Sequence, residues 1–325
     1  MGTGAILADI VAHINEDFLR SHGFIKGERH QSKRPILNGL ISKMQGHYEI
    51  APGGSACNTI IGAANLGLET AFAAKCGNDQ LGTLIQRHLE QQKIKTNITL
   101  DDQPTGICLS LVTPDSERTM LVDLAASNAL TVDDIAMDFF QNVGIAHFEA
   151  YMASNQTLML NLLERAYKAG CVISLDLGCC ATIREHFAFL QNITLDYVDV
   201  LIGNYREGAT FTGAVDSKTI VKTIAQNVSI AALKQGANGS LLYVDNDIIT
   251  IEPVSYTNHP VQDCTGAGDL WNSGFLYGLA MGYNAEACGQ LASLCGYEVC
   301  CVVGAQIQPP GWQRIQTYLQ KNGLT

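Results

Sequence analysis

Gly144-Ile-Ala-His-Phe-Glu-Ala-Tyr151 and Val172-Ile-Ser-Leu-Asp-Leu177 are short apolar runs that bracket residues 156–169, where leucine and methionine recur at helical spacing. Two strands separated by an amphipathic helix make one crossover unit. The pattern then repeats. Residues 184–192 read as a helix, 198–202 as a strand, 218–226 as a helix and 230–234 as a strand. This alternation predicts right-handed crossovers and a mainly parallel sheet with helices on both faces, an α/β fold of three layers. Ligands of such sheets bind outside the carboxyl ends of the strands.

Two stretches break the rhythm. Residues 106–113 and 118–124 are β-rich runs joined by Pro114-Asp-Ser-Glu117, a hairpin signal. Residues 14–50 are polar and irregular. Both are expected in a small appended β-sheet that closes as a lid. The division expected is residues 1–13, 51–98 and 129–325 in a large α/β domain, with 14–50 and 99–128 in the lid.

The chain has 325 residues, 47% of them hydrophobic and 16% charged, which is enough apolar material for a sizeable core. Its net charge of −11 makes nucleic acid and anionic membranes poor partners. A phosphorylated ligand would therefore need local neutralisation by backbone N–H groups, a few basic side chains and a metal ion. The eleven cysteines include no Cys-x-x-Cys, and two pairs are adjacent, so free thiols in a reducing, cytoplasmic compartment are expected. No secretory leader or membrane-length apolar run is read.

The richest segment is Asp263-Cys-Thr-Gly-Ala-Gly-Asp269, which opens an apolar helical pattern over 270–279. Glycines at a helix start let several N–H groups point at one spot, where the helix dipole favours negative charge. Asp269 in that first turn reads as a base for a substrate hydroxyl, or as a plain helix cap. Gly53-Gly54-Ser55-Ala56-Cys57-Asn58 precedes a small-residue helix; Ser55 and Asn58 offer directional polar groups suited to hydroxyls. Asn204 and Glu207, three apart after a strand, suit either a hydrated magnesium ion or a capped helix. Lys234-Gln-Gly236-Ala-Asn-Gly239 reads as a tight turn or as a turn flanking a nucleotide.

Taken together, the Gly53-Gly54…Asn58…Leu66-Gly67 run resembles the first signature of the PfkB/ribokinase family, and Asp263–Asp269 followed by Gly274-Phe275 resembles the second. Asn204-x-x-Glu207 and Lys234-x-Gly236-x-x-Gly239 fall between them in the family's order. The resemblance runs from about residue 2 to about residue 310, and four ordered matches are far more specific than one. Details such as Asp9-Ile10…Asp17-Phe18, Pro104-Thr-Gly106 and Arg118-Thr-Met-Leu-Val-Asp123 are similar to the adenosine kinase branch.

The resemblance implies a ribokinase-like fold with a β-lid and an ATP-dependent kinase acting on a nucleoside (adenosine-like) or a sugar. It implies that Asp9 holds two hydroxyls of the acceptor, with Gly53, Gly54, Ser55 and Asn58 around the same ring. Asp269 would be the base, and the backbone of Gly266, Ala267 and Gly268 would form the anion hole. Asn204 and Glu207 would organise Mg2+ through water; Lys234, Gly236, Gly239 and Thr265 would lie along the nucleotide. Asp263 is implied as a K+ ligand, and the protein is expected as a monomer or homodimer. Cys264 stands where the family usually has threonine, and Arg29-His-Gln31 is polar where the adenosine branch tends to be apolar. A free sugar or sugar-phosphate kinase, or a non-catalytic nucleoside-binding descendant, are the alternatives. A dinucleotide fold on Gly2-Thr-Gly-Ala-Ile-Leu-Ala8 lacks a preceding strand, and no Gly-Lys-Ser/Thr of a P-loop is present.

Overall fold

A computed structural model describes residues 1–115, 117–254 and 259–324. Its strands are β1 (Gly2–Thr3), β2 (Leu7–His13), β3 (Arg29–Gln31), β4 (Glu49–Gly53), β5 (Ala71–Gly77), β6 (Lys95–Asp101) and β7 (Gly106–Val112). They continue with β8 (Arg118–Asp123), β9 (Ile145–Glu149), β10 (Val172–Asp176), β11 (Val200–Asn204), β12 (Ile230–Lys234), β13 (Ser240–Val244) and β14 (Asp247–Ile251).

A nine-stranded sheet runs β14-β13-β12-β11-β10-β9-β1-β5-β6. Every neighbouring pair from β12 to β6 is parallel, while β13 and β14 add an antiparallel edge. Strands β9 to β11 read as continuous apolar runs because both of their faces are covered. On one side lie the Gln156–Lys168, Phe187–Tyr197 and Ser217–Ile224 helices, whose leucines and isoleucines join Phe148, Leu175 and Leu201 in the largest core. On the other side the Ala267–Ala280 and Ala285–Cys300 helices pack tightly. A Cβ on Gly274 would lie 2.8 Å from the Ala292 backbone, so glycine permits that approach.

A second sheet, β3-β8-β7-β2-β4, has five strands. One face (Ala8, Ile10, Ile107, Leu109, Leu121) is buried in a core with Leu37, Leu40, Ile60 and Ile85. The other face carries Asp9 and points toward the glycine loops. The hairpin of β7 and β8 pairs antiparallel; its connecting turn includes Ser116, which lies outside the described residues.

The structure departs from the sequence reading at the N-terminal end. Residues 7–13, grouped with the large sheet in the expected division, pair with β4 and β7 of the small one. The first strand of the large sheet is only Gly2–Thr3, after which the chain changes sheet. The irregular-looking 14–50 contains the Glu16–His22 and Arg34–Lys43 helices. Each buries few side chains, which is why no stripe shows in the sequence. All eleven cysteines are free, and no helix among the described residues is long and apolar enough to cross a membrane.

Candidate active site

The loop before the Ala267–Ala280 helix is held by Asp263, which is fully buried. One carboxylate oxygen accepts the N–H (2.9 Å) and hydroxyl (2.7 Å) of Thr265, and the other accepts the N–H of Gly304 at 2.8 Å. Asp263, implied as a cation ligand, here fastens the 263–266 turn to the 304 loop. Gly266 then adopts φ 74°, and a Cβ there would fall 2.6 Å from the Ala305 side chain. As the N-cap it has no side chain to satisfy the first-turn amides, of which the Ala267 N–H donates to the Cys264 carbonyl at 3.2 Å.

Asp269 sits in this first turn, but its carboxylate does not cap its own helix. It accepts from the Ser55 hydroxyl at 2.7 Å and from the Asn58 amide at 2.9 Å, both on the facing Ser55–Leu66 helix. The carboxylate is thus oriented by a neighbouring element rather than by the amides of its own helix. Burial raises its pKa most; the Asn58 and Ser55 donors oppose this, Asp176 adds repulsion and Lys234 attracts.

Asp9 lies on the site-facing side of β2 and is 8% exposed. Among the described residues its carboxylate has no hydrogen-bond or ion-pair partner. Burial pushes its pKa up to about 7, with Asp269 adding to the rise and Arg118 opposing it. A carboxylate this enclosed and unpartnered calls for donors from a ligand. Gly53 makes room for it, because a Cβ there would overlap the Asp9 carboxyl group. Gly54 has φ 103°, and a Cβ there would run into the Ala5 carbonyl. Gly53→Ala is therefore expected to displace the Asp9 side chain, which a crystal structure of the variant would show directly.

Beneath the Gly266–Gly268 turn, the Lys234 ammonium lies 2.8 Å from Asp176, 3.1 Å from the Asn272 side-chain oxygen and 3.5 Å from the Gly268 carbonyl. Asn272 also donates to Asp176 at 2.8 Å. Beside Lys234, a cleft of about 500 Å³ is lined by Asn204, Arg206, Ser217, Gln235, Gly236 and Asn238, so the third and fourth sequence clusters share one space next to Gly268. Gly239 closes the turn with φ 78°. Within the cleft wall, both Glu207 oxygens accept from Asn204, through its N–H at 2.7 Å and its side-chain amide at 2.6 Å. This is a capping box, the plainer of the two sequence readings. Burial followed by repulsion from Asp176 raises Glu207 to about 7.

Three participants escaped the sequence reading. Asp176 and Asn272 anchor Lys234, and Glu149, 1% exposed, accepts the N–H groups of Ala5 (2.9 Å) and Ala56 (2.8 Å), tying the two strand ends to the Ser55 turn. Asp176 and Glu149 both end strands of the parallel sheet, the one signal that could have marked them.

A family model described as "pfkB family carbohydrate kinase" matches residues 35–311. A 5-dehydro-2-deoxygluconokinase of Geobacillus kaustophilus is 27% identical over 259 residues, covering 72% of this chain and 77% of that protein. A probable sugar kinase of Rhizobium etli superposes with a TM-score of 0.92 at 26% identity, covering 100% of this chain and 98% of the other. An adenosine kinase of Sinorhizobium meliloti superposes at 0.91 with 25% identity, covering 98% of each chain.

Proposed function

The chain belongs to the pfkB family of carbohydrate kinases, a phosphotransferase with a hydroxyl acceptor on a ribokinase-like fold, and from that premise we propose that it moves the γ-phosphoryl group of ATP to a hydroxyl oriented by Asp9. The observation that carries this reading is the buried, unpartnered Asp9 carboxylate facing the same space as Asp269. Asp9 accepts hydrogen bonds from hydroxyls of the acceptor ring, with Gly53, Gly54, Ser55 and Asn58 beside it. Asp269, steered by Ser55 and Asn58, takes the proton of the attacking hydroxyl. The backbone amides of the Gly266-Ala267-Gly268 turn receive the oxygens of the phosphoryl group as charge develops on them. Lys234, held against Asp176, contributes positive charge below the turn.

ATP lies along the Lys234–Gly239 turn and the cleft that reaches Asn204. Among the described residues no three acidic, histidine or cysteine side chains converge on a metal position. The donor set fits a hydrated Mg2+, which Asn204 and Glu207 would hold through water. Mg2+ would offset phosphate charge during transfer. The small sheet acts as a lid that excludes water. Its strand β2 carries Asp9, so lid and acceptor site are one unit.

The acceptor is a sugar or a nucleoside with neighbouring hydroxyls. Incubation with ATP and a panel of both, read by mass spectrometry, tests it. A phosphorylated product is expected from at least one member; ATP-independent binding with no product from any would overturn transfer.

A pH dependence follows from Asp9. Below about 7 its carboxyl is protonated, so it loses its charge and one oxygen carries a proton of its own; it then accepts from hydroxyls more weakly, and acceptor KM is expected to rise as pH falls through 7. Asp9→Asn should remove that limb. An acceptor KM flat from pH 8 to 5.5 would count against Asp9 as the hydroxyl anchor.

A further inference from the structure

The stretch that leads into the Gly266–Gly268 turn is docked on the end of the Ala285–Cys300 helix. The Cys300 carbonyl accepts the N–H of Gln262 at 2.7 Å and that of Asp263 at 3.3 Å. The Gln262 side chain donates to the Cys301 carbonyl at 2.9 Å. One residue further on, this docking brings the side chains of Cys264 and Cys300 into a thiol–thiol hydrogen bond. Cys301, next to Cys300 in the chain, turns its thiol elsewhere, to the carbonyls of His259 and Tyr297 at 3.4 Å each. Of the eleven cysteines only Cys264 is exposed, whereas Cys300 behind it is 8% exposed.

An outer thiol that meets solvent, in contact with an inner thiol that does not, is an arrangement suited to reversible oxidation. The outer sulfur takes the oxidant and the inner one resolves it. The place in the fold gives such a bond a consequence. Cys264 is two residues before Gly266, and its carbonyl accepts the N–H of Ala267 at 3.2 Å. The adjoining Asp263 ties the same turn to Gly304. A disulfide needs its sulfurs about 2.05 Å apart, well inside the separation of two hydrogen-bonded thiols. Closing the bond therefore pulls Cys264 toward the helix end, and the turn moves with it.

We propose that Cys264 and Cys300 are a redox site at which a peroxide forms a disulfide, and that this bond draws the Gly266–Gly268 turn away from its phosphate-receiving shape. The bond itself is independent of the kinase reading; its effect on the turn rests on it. In the first step the Cys264 sulfur attacks one peroxide oxygen and the O–O bond breaks, leaving a sulfenic acid and one water. The Cys300 sulfur then attacks the Cys264 sulfur, the S–O bond breaks and a second water leaves. Two thiols lose two electrons and two protons, and the peroxide is reduced to water. A dithiol reverses the change.

The test exposes the reduced full chain to hydrogen peroxide, alkylates the remaining thiols and maps chymotryptic peptides by mass spectrometry. A cross-linked pair holding Cys264 and Cys300, lighter by two hydrogens than its parts and cleaved by dithiothreitol, is expected. Calorimetry with Mg2+ and AMP-PNP, an ATP analogue that transfers nothing, should show binding about 10-fold weaker after oxidation, the size of one lost charge-assisted hydrogen bond. Dithiothreitol should restore it. Cys300→Ser and Cys264→Thr should each make AMP-PNP binding indifferent to peroxide, and Cys301→Ser should keep the response. Two blocking variants guard against a folding fault in one, with circular dichroism as the check. The proposal is overturned if both thiols stay free, if oxidation stops at an acid of Cys264, if Cys264 pairs with Cys301 or a second chain, or if the disulfide forms and AMP-PNP binds as before. Failure of the kinase reading looks different: the reduced protein would not bind AMP-PNP at all, while the 264–300 bond would still form.

Discussion

Asp269→Asn is expected to lower kcat by about 10³- to 10⁴-fold, the upper range of a well-placed general base, while acceptor affinity changes only a few-fold. The substitution keeps the shape of the side chain and one oxygen to accept from Ser55 or Asn58, so the first turn of the Ala267–Ala280 helix is preserved. What is lost is the ability to take a proton. Stability should not fall much, since burial already disfavours the charged carboxylate and the amide carries no charge to desolvate. Circular dichroism and melting temperature check the fold; single-turnover phosphorylation measures the chemical step. A variant within tenfold of the wild type would sink the assignment of Asp269 as base and leave it an orienting group for Ser55 and Asn58.

The contrast between Asp269 and Asp9 shows what the sequence could and could not say. The loop Asp263–Asp269 is legible because glycines before a helix leave a local, short-range signature, and the parallel core over 144–234 is legible for the same reason: buried strands and amphipathic helices have their own periods. The β12 strand spans Ile230–Lys234, the run read as a strand from the sequence. Asp9 carries no local signature, since its meaning comes from pairing with Ala51 and Cys108, strands about forty and a hundred residues away. The same holds for Asp176, which is joined to Lys234 and Asn272 only by the fold. Residues 14–50 were opaque for a different reason. The Arg34–Lys43 helix buries only Leu37 and Leu40, and β3 is a three-residue edge strand, so neither has length enough to show a period. Asn204 and Glu207 illustrate a limit of spacing itself. An amide and a carboxylate three apart after a strand satisfy a capping box as readily as a metal shell; the box forms here, and spacing does not separate it from a second role toward hydrated Mg2+.

Asp176→Ala is expected to destabilise the protein by about 3–5 kcal/mol, the largest stability effect of any single change at the site, because it strands a buried ammonium. Burial alone would raise the Asp176 carboxyl, yet attraction to Lys234 and donors from Lys234 and Asn272 hold it below the usual carboxylate range. Burial acts to lower Lys234, but attraction to Asp176 and Glu207, with the Asp176 hydrogen bond and Asp269, together raises it. The sign with pH follows: a depressed carboxylate stabilises above its unfolded pKa, and this contribution is lost as pH falls through the acid range. Asp176→Ala should therefore flatten the acid limb of the stability curve as well as lower it. Lys234→Met in the same background removes the stranded charge and fills its space beside Trp271, so the double variant should recover most of the loss in urea unfolding at pH 7. It should not recover turnover, since the positive charge below the anion-binding turn is gone. Additive losses in the double variant would mean that the two charges stabilise the fold independently, and that the turn does not rest on their pairing.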